Sequence, residues 1–326
     1  MRILTDCPER LPGLVPERSG WSCPGISSLC GAEQVLWHAL SSGGTLWTGT
    51  AAESAPPGFW PRAFILAEAP ESQFDVLQEL ARGDLKLTGP VACLALHGRN
   101  FHGQRGRSWS SAPGNLHLSV LFSPADFSVR RSLGLTMLPA VAVAEAVWRL
   151  SGGRLKPGIK WVNDILVEGR KIAGVITATQ VLREKITRVT LGIGLNVAHT
   201  PEVSPTVFVP SVGSLHAWGL DVALVDVFLA VLEQLGKFYA VLEHVGADEI
   251  FGAYKELSLV IGREVCIWEE SEGVRDQNTP SSGPLVRGVV RELAPDLSLR
   301  LEGVAEPVSR GRLAFAESVD ASHVRG

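Results

Sequence analysis

The sequence predicts an α+β fold in which a mixed or antiparallel sheet packs with helices and a small β-barrel follows at the carboxy-terminal end. Three observations lead there. Between residues 160 and 197, apolar runs of strand length follow one another with only short turns between them, which is meander order and not strand–helix–strand order. Helical periodicity is confined to a few stretches, the longest at residues 132–150 and 222–239. From residue 260 onward the pattern changes to short strands separated by polar and Gly/Pro-rich turns.

Residues 1–60 are rich in Gly, Pro, Ser and Trp and show little periodicity, apart from a short helix expected at residues 32–40. They are treated as an extension of unknown role. Residues 63–67 read as a strand, and residues 72–82 follow with Phe74, Leu77 and Leu80 at amphipathic helical spacing. Apolar runs at residues 91–96 and 115–122 flank a Gly- and Arg-rich loop, an arrangement that makes a pocket edge. The helical pattern of residues 132–150 stops at Gly152-Gly153. Strands are then expected at 160–167, 171–181 and 187–197, and helices at 222–239 and 247–256. The last expected strands are 264–268, 285–293, 297–301 and 307–313, with an exposed hairpin loop at 269–284 and a frayed tail from Ser318.

A chain of 326 residues has room for two or three domains, and 45% hydrophobic with 20% charged residues is the balance of a soluble globular protein. The net charge of −4 supplies no general basic field for nucleic acid or an anionic membrane, so an anionic ligand has to be held by local groups. Cys7, Cys23, Cys30, Cys93 and Cys266 are odd in number and lack C-x-x-C spacing, which gives neither a zinc signature nor a complete disulfide framework and points to a reducing cytosol. The start of the chain lacks a signal-peptide core, and the longest apolar stretches are interrupted by Pro139 and Glu145 or by Asp226 and Glu233, so no bilayer span is expected.

Three constellations carry chemistry. In the loop Gly98-Arg99-Asn100-Phe101-His102-Gly103-Gln104-Arg105-Gly106-Arg107-Ser108-Trp109, glycines let the backbone approach a ligand and arginines offer planar forks to carboxylate or phosphate oxygens. The bland reading is a solvated surface loop whose arginines pair with nearby acids. Lys160 stands in an apolar run ahead of Asn163 and Asp164, and on one extended strand it would share a face with Val162 and Asp164. An inward ammonium can bridge two anions, as attack of a carboxylate on a phosphate requires, whereas an isolated lysine snorkels from a sheet edge. In Gly192-Ile193-Gly194-Leu195-Asn196-Val197 the alternating glycines clear one strand face for a ligand, although close strand packing explains them equally.

Taken in order, these words resemble the biotin protein ligases of the biotin and lipoate ligase superfamily. The matching words are Gln104-Arg105-Gly106-Arg107-Ser108-Trp109, Pro113-Gly114-Asn115-Leu116-His117-Leu118-Ser119, Lys160-Trp161-Val162-Asn163-Asp164, Gly169-Arg170-Lys171-Ile172-Ala173-Gly174 and the Gly192–Val197 word. The resemblance implies a catalytic domain at 61–257, an SH3-like β-barrel at 258–317 and a tail at 318–326. It also implies a two-step ligation with ATP and Mg²⁺: biotin is activated as biotinyl-AMP and passed to a lysine of a biotin carboxyl carrier protein or carboxylase acceptor domain.

By the same resemblance, Lys160, Arg105 and Arg107 are catalytic. Ser72, Gln73, Gln104, Gly114, Asn115, Leu116, Gly192 and Gly194 bind biotin together with Lys160. Gly103, Gly106, Trp109, Asn163, Asp164 and Asn196, with the two arginines, bind the nucleotide, and magnesium is expected near Asn196. No nucleic acid or membrane partner is expected, no DNA-binding repressor role is expected, and a homodimer is left open.

Two departures keep alternatives in play. The family loop usually reads G-R-G-R-x-G-R; an ungapped match puts Phe101-His102 in place of the first Gly-Arg pair and Gln104 in place of another arginine, whereas a three-residue insertion makes Gly98-Arg99 the first pair. Glu71-Ser72-Gln73 stands where the family has Ser-Thr-Asn to bind the ureido ring, which leaves lipoate or octanoate ligation as an alternative. A biotin-binding regulatory protein with impaired turnover is the alternative of another class.

Overall fold

The chain lays down β1 (Arg2–Thr5), α1 (Gly31–Leu40), β2 (Trp47–Thr50), β3 (Arg62–Leu66), α2 (Gln73–Arg82), β4 (Val91–Ala95), β5 (Leu116–Phe122), β6 (Phe127–Ser128), α3 (Ser132–Leu150), β7 (Gly158–Lys160), β8 (Asp164–Val167), β9 (Arg170–Leu182) and β10 (Lys185–Leu195). These are followed by α4 (Leu224–His244), α5 (Ala247–Glu256), β11 (Glu264–Trp268), β12 (Val286–Leu293), β13 (Leu299–Leu301), β14 (Arg312–Phe315) and α6 (Ala316–His323). The computed structural model describes residues 1–17, 20–52, 59–83, 85–125, 127–269 and 283–323.

The larger sheet has the order β2-β1-β3-β4-β5-β10-β9-β8-β7, with β6 beside β10. It is mixed, since β1–β3 and β3–β4 run parallel and the other pairs antiparallel. Strands β3 and β4 are covered on both faces, which is why they read as unbroken apolar runs. Ala63, Ile65, Ala92 and Leu94 pack in the cluster with α3 and α4, while Phe64, Leu66, Val91 and Cys93 pack in the cluster with α1 and α2.

The amino-terminal segment is not an appendage. Strand β1 pairs with β3 and with β2, and Leu36, Trp37 and Leu40 of α1 are buried in the core. Strands β1 and β2 have four residues each, too few to show alternation, so composition concealed them. Despite Pro139 and Glu145, α3 is long and apolar enough to cross a membrane by length and composition alone, but it packs between the sheet, α4 and α5 with most of its apolar residues buried.

Residues 160–167 are likewise two strands, β7 and β8, and not one. Hydrogen bonds to three other segments hold the intervening turn: its own Trp161 Nε1 donates to Leu297 O at 2.7 Å and Asn163 Nδ2 to Val175 O at 2.7 Å, while Tyr254 OH donates to Val162 O at 2.8 Å. Those long-range bonds are invisible to strand alternation.

The carboxy-terminal strands form a four-stranded antiparallel sheet in the order β13-β12-β11-β14. The strand expected at 307–313 begins only at Arg312, with Val308 making an isolated bridge to Leu299. The tail expected to fray from Ser318 is instead α6, whose Val319 packs with Phe208, Cys266 and Trp268. Most of the loop expected at 269–284, residues 270–282, lies outside the described residues.

Candidate functional site

Strand registers line up one row of residues across six strands: Ala95 on β4, His117 on β5, Gly194 on β10, Gly174 on β9, Asp164 on β8 and Lys160 on β7. Directly paired residues project to the same face of a sheet. The neighbouring row carries Cys93, Ser119, Gly192 and Ile176, and the amino-terminal end of α2 rests on it through Phe74. A cavity of about 790 Å³ opens over this face. All the candidate residues line it except Gly106, Gly114, Asn115 and Leu116.

At one end of the row, Lys160 is buried to 4% exposure, and its ammonium donates to Phe208 O at 2.5 Å and lies 5.8 Å from the Phe315 ring centre. Burial pulls its pKa down to about 8; Asp164 opposes that shift, whereas Lys171, Arg312 and Arg107 add to it. Asp164 pairs with Lys171 at 2.6 Å. Burial alone would raise its pKa, but Lys171 and Lys160 outweigh burial and hold the carboxylate below its ordinary value. The Lys171 ammonium in turn lies 5.7 Å from the centre of a Trp109 ring. Lys171 thus joins the candidate set as a second cavity-lining lysine, one quoted within a matching word of the sequence but not singled out there. A lysine in the otherwise apolar word Ile172-Ala173-Gly174 was the available signal.

The arginine loop is tied to itself and to α2. Gly103 N donates to Arg107 O at 2.7 Å, Trp109 N to Phe101 O at 2.9 Å, and Ser111 Oγ to Gly98 O. His102 Nε2 meets Asp75 of α2 at 2.7 Å. Gln104, Arg105 and Arg107 face the cavity, whereas Arg99 pairs with Glu68 at 3.3 Å and is not on its wall. The geometry therefore gives no support to Arg99 as a phosphate-facing arginine.

The glycines act differently from the expectation of a bare shelf. A Cβ on Gly194 would come 2.3 Å from the Trp109 indole, and one on Gly192 would come 2.7 Å from Ile176 and 3.1 Å from Phe74. They make room for side chains, so the floor offered to a ligand is aromatic. Gly114, Asn115 and Leu116, expected against biotin, are not on the cavity wall, and the Asn115 side chain is engaged within the fold: its Nδ2 donates to His199 O at 2.9 Å, and its Oδ1 accepts from Val197 N and His199 N at 2.9 and 3.0 Å. Leu116 is fully buried in the core, and Gly114 holds φ +82 against Ala198.

Among the described residues, four buried polar atoms of cavity-lining side chains lack a hydrogen-bond partner: Gln73 Nε2, Trp109 Nε1, His117 Nδ1 and Asn196 Oδ1. Buried polar groups are normally satisfied, so such a concentration marks a place for a polar ligand. Ser72 Oγ caps α2 by accepting from Asp75 N at 3.4 Å, which positions Gln73 at the cavity wall. Asn196 Nδ2 donates to Gly213 O at 2.9 Å, leaving its oxygen as a hard donor that fits one coordination position of Mg²⁺. No cluster of three acidic, His or Cys ligands occurs among the described residues, so such an ion would depend on ligand oxygens and water for its remaining positions.

The small sheet also reaches the cavity, a contribution unread in the sequence. Arg312 of β14 lines it and stacks its guanidinium 3.7 Å from the Phe208 ring centre, the residue whose carbonyl holds Lys160.

Residues 85–196 match the model of the Biotin/lipoate A/B protein ligase family. The chain is 36% identical over 104 residues to the bifunctional ligase/repressor BirA of Bacillus subtilis, covering 32% of this chain and 31% of that protein. It is 30% identical over 145 residues to the biotin--[acetyl-CoA-carboxylase] ligase of Mycobacterium tuberculosis, covering 44% of this chain and 52% of that one. The matched stretches therefore span 31% and 52% of these two relatives. Among solved structures, the biotin protein ligase from Aquifex aeolicus in complex with biotin and ATP superimposes with TM-score 0.60 at 21% identity, over 78% of this chain and 100% of that one, which establishes a shared fold.

Proposed function

We propose that this chain, whose residues 85–196 match the model of the Biotin/lipoate A/B protein ligase family, is an ATP-dependent biotin–protein ligase. The observation that carries this reading is the grouping of Lys160, Asp164 and Lys171 at one end of a cavity whose wall is completed by Arg105 and Arg107. Two cations share one carboxylate there, which leaves a net positive charge facing the cavity. Such a centre suits the meeting of a carboxylate with a phosphate.

In the first step an oxygen of the biotin carboxylate bonds to the α-phosphorus of ATP as the bond to the β-phosphate breaks, giving biotinyl-AMP and pyrophosphate. Lys160 and Lys171 both line the cavity and present their charges to the reacting oxygens, Lys160 while anchored to Phe208 O. Asp164 fixes the Lys171 ammonium. Arg105 and Arg107 serve the phosphate oxygens as planar donors. Magnesium, held beside Asn196, would supply neutralisation of the departing phosphates. In the second step a neutral acceptor lysine attacks the acyl carbon, AMP leaves, and the amine proton passes to solvent. The acceptor in this reading is a biotin carboxyl carrier domain, and the four-stranded sheet is read as an SH3-like barrel. Incubating the protein with biotin, Mg-ATP and such a domain tests it; no acceptor labelling and no biotin-dependent pyrophosphate release would refute it.

A further inference from the structure

We propose that His117 is a specificity-determining residue whose neutral imidazole accepts a ring N–H of a cyclic urea while Gln73 donates to the urea oxygen. This rests on the biotin reading and deepens it, because it separates biotin from plain or sulfur-ended acids that fit an apolar tunnel equally well. His117 is 5% exposed and lines the cavity. Its Nε2 lies 3.2 Å from Ala112 O. A carbonyl can only accept, so the neutral ring carries its proton on Nε2 and presents a lone pair at Nδ1. That Nδ1 is the buried atom without a partner. Burial also pushes the ring down to about 4, against the opposing bond to Ala112, so the lone pair persists near neutrality.

The placement matches a ligand that is polar at both ends. His117 sits on the same row as Asp164, separated from it by Gly194 and Gly174. Three interstrand steps put those residues roughly 14 Å apart, room for a bicyclic head and a short acyl chain between the imidazole and the lysines. Gln73 is 3% exposed, and its Nε2 is a donor lacking an acceptor. It neighbours Phe74, which packs over Gly192 one row away from Gly194, the partner of His117. One unpartnered acceptor and one unpartnered donor complement the N–H and C=O of a urea, whereas a dithiolane or an alkyl end would leave both unsatisfied.

The test uses the full chain and steady-state pyrophosphate release with biotin and, separately, octanoate at saturating Mg-ATP, together with thermal unfolding of each variant. His117→Phe is expected to raise the biotin KM by about tenfold or more while kcat and the ATP KM stay within about threefold. His117→Gln, whose amide oxygen can accept, is expected to recover most of the biotin KM. The ratio of biotin to octanoate turnover should fall only in the phenylalanine variant. An unchanged biotin KM in a folded His117→Phe protein overturns the proposal while biotin-dependent release by the wild type upholds the ligase reading. Equal losses in both variants overturn it as well, since packing and not acceptance would then be at issue. If the wild type itself releases no pyrophosphate with biotin, the ligase reading fails first.

Discussion

Lys160 and Asp164 face each other across the rung that closes the β7–β8 hairpin, and the same carboxylate bonds Lys171 on the adjoining strand. A half-buried carboxylate between two ammonium groups stays ionised, and the buried Lys160 gains a counter-charge against the cost of its burial. Removing Asp164 would leave two like charges to repel. Asp164→Asn is expected to abolish adenylate formation and to destabilise the fold, with pyrophosphate release and chemical unfolding as the readouts.

Lys171→Ala is expected to lose about 2–4 kcal/mol of transition-state stabilisation, the scale of one preorganised electrostatic group. Single-turnover formation of biotinyl-AMP measures this. A rate within threefold of wild type would remove Lys171 from the reacting centre.

The pH behaviour of Lys160 has opposite signs for activity and stability. Its folded pKa is lowered to about 8, so the catalytically useful charged form is lost as pH rises through that value, and pyrophosphate release should fall. In the unfolded chain the group keeps its proton up to the ordinary value of 10.5, so between about 8 and 10.5 unfolding takes up a proton and this lysine favours the folded state more as pH rises. Comparing wild type with Lys160→Met over pH 7 to 9 isolates the effect. Parallel pH dependence of the two proteins would contradict it.

Gly194→Ala should displace the Trp109 indole, because the new methyl carbon would stand 2.3 Å from it. A loss of about tenfold or more in adenylate formation is expected, and in the Trp109→Ala background the same substitution should cost much less, a coupling read by a double-mutant cycle. Additive losses would show that the glycine serves another contact.

Asn115→Ala removes three hydrogen bonds that hold residues 197–199. A loss of about 2–4 kcal/mol in unfolding free energy is expected, with the thermal midpoint falling accordingly. Biotin binding to the remaining folded protein should change little, in contrast to His117→Phe.

The helices at 132–150 and 247–256 were legible in the amino-acid order alone, as were the strand positions of β3, β4 and β5 and the lysine and arginine words of the site. These features are local: apolar periodicity and neighbouring residues in one word carry them without reference to distant chain. Folding alone brought the Asn115 side chain against the backbone of residues 197–199, Lys171 beside Lys160 around Asp164, and Arg312 to the cavity from the second sheet. It also settled that the first strands belong to the main sheet and that Trp161 reaches Leu297 to shape the lysine hairpin. Each of those outcomes depends on strand register or on contacts between residues far apart in the chain, and a one-residue shift in register would send strand residues such as Asp164 and Lys171 to the other face.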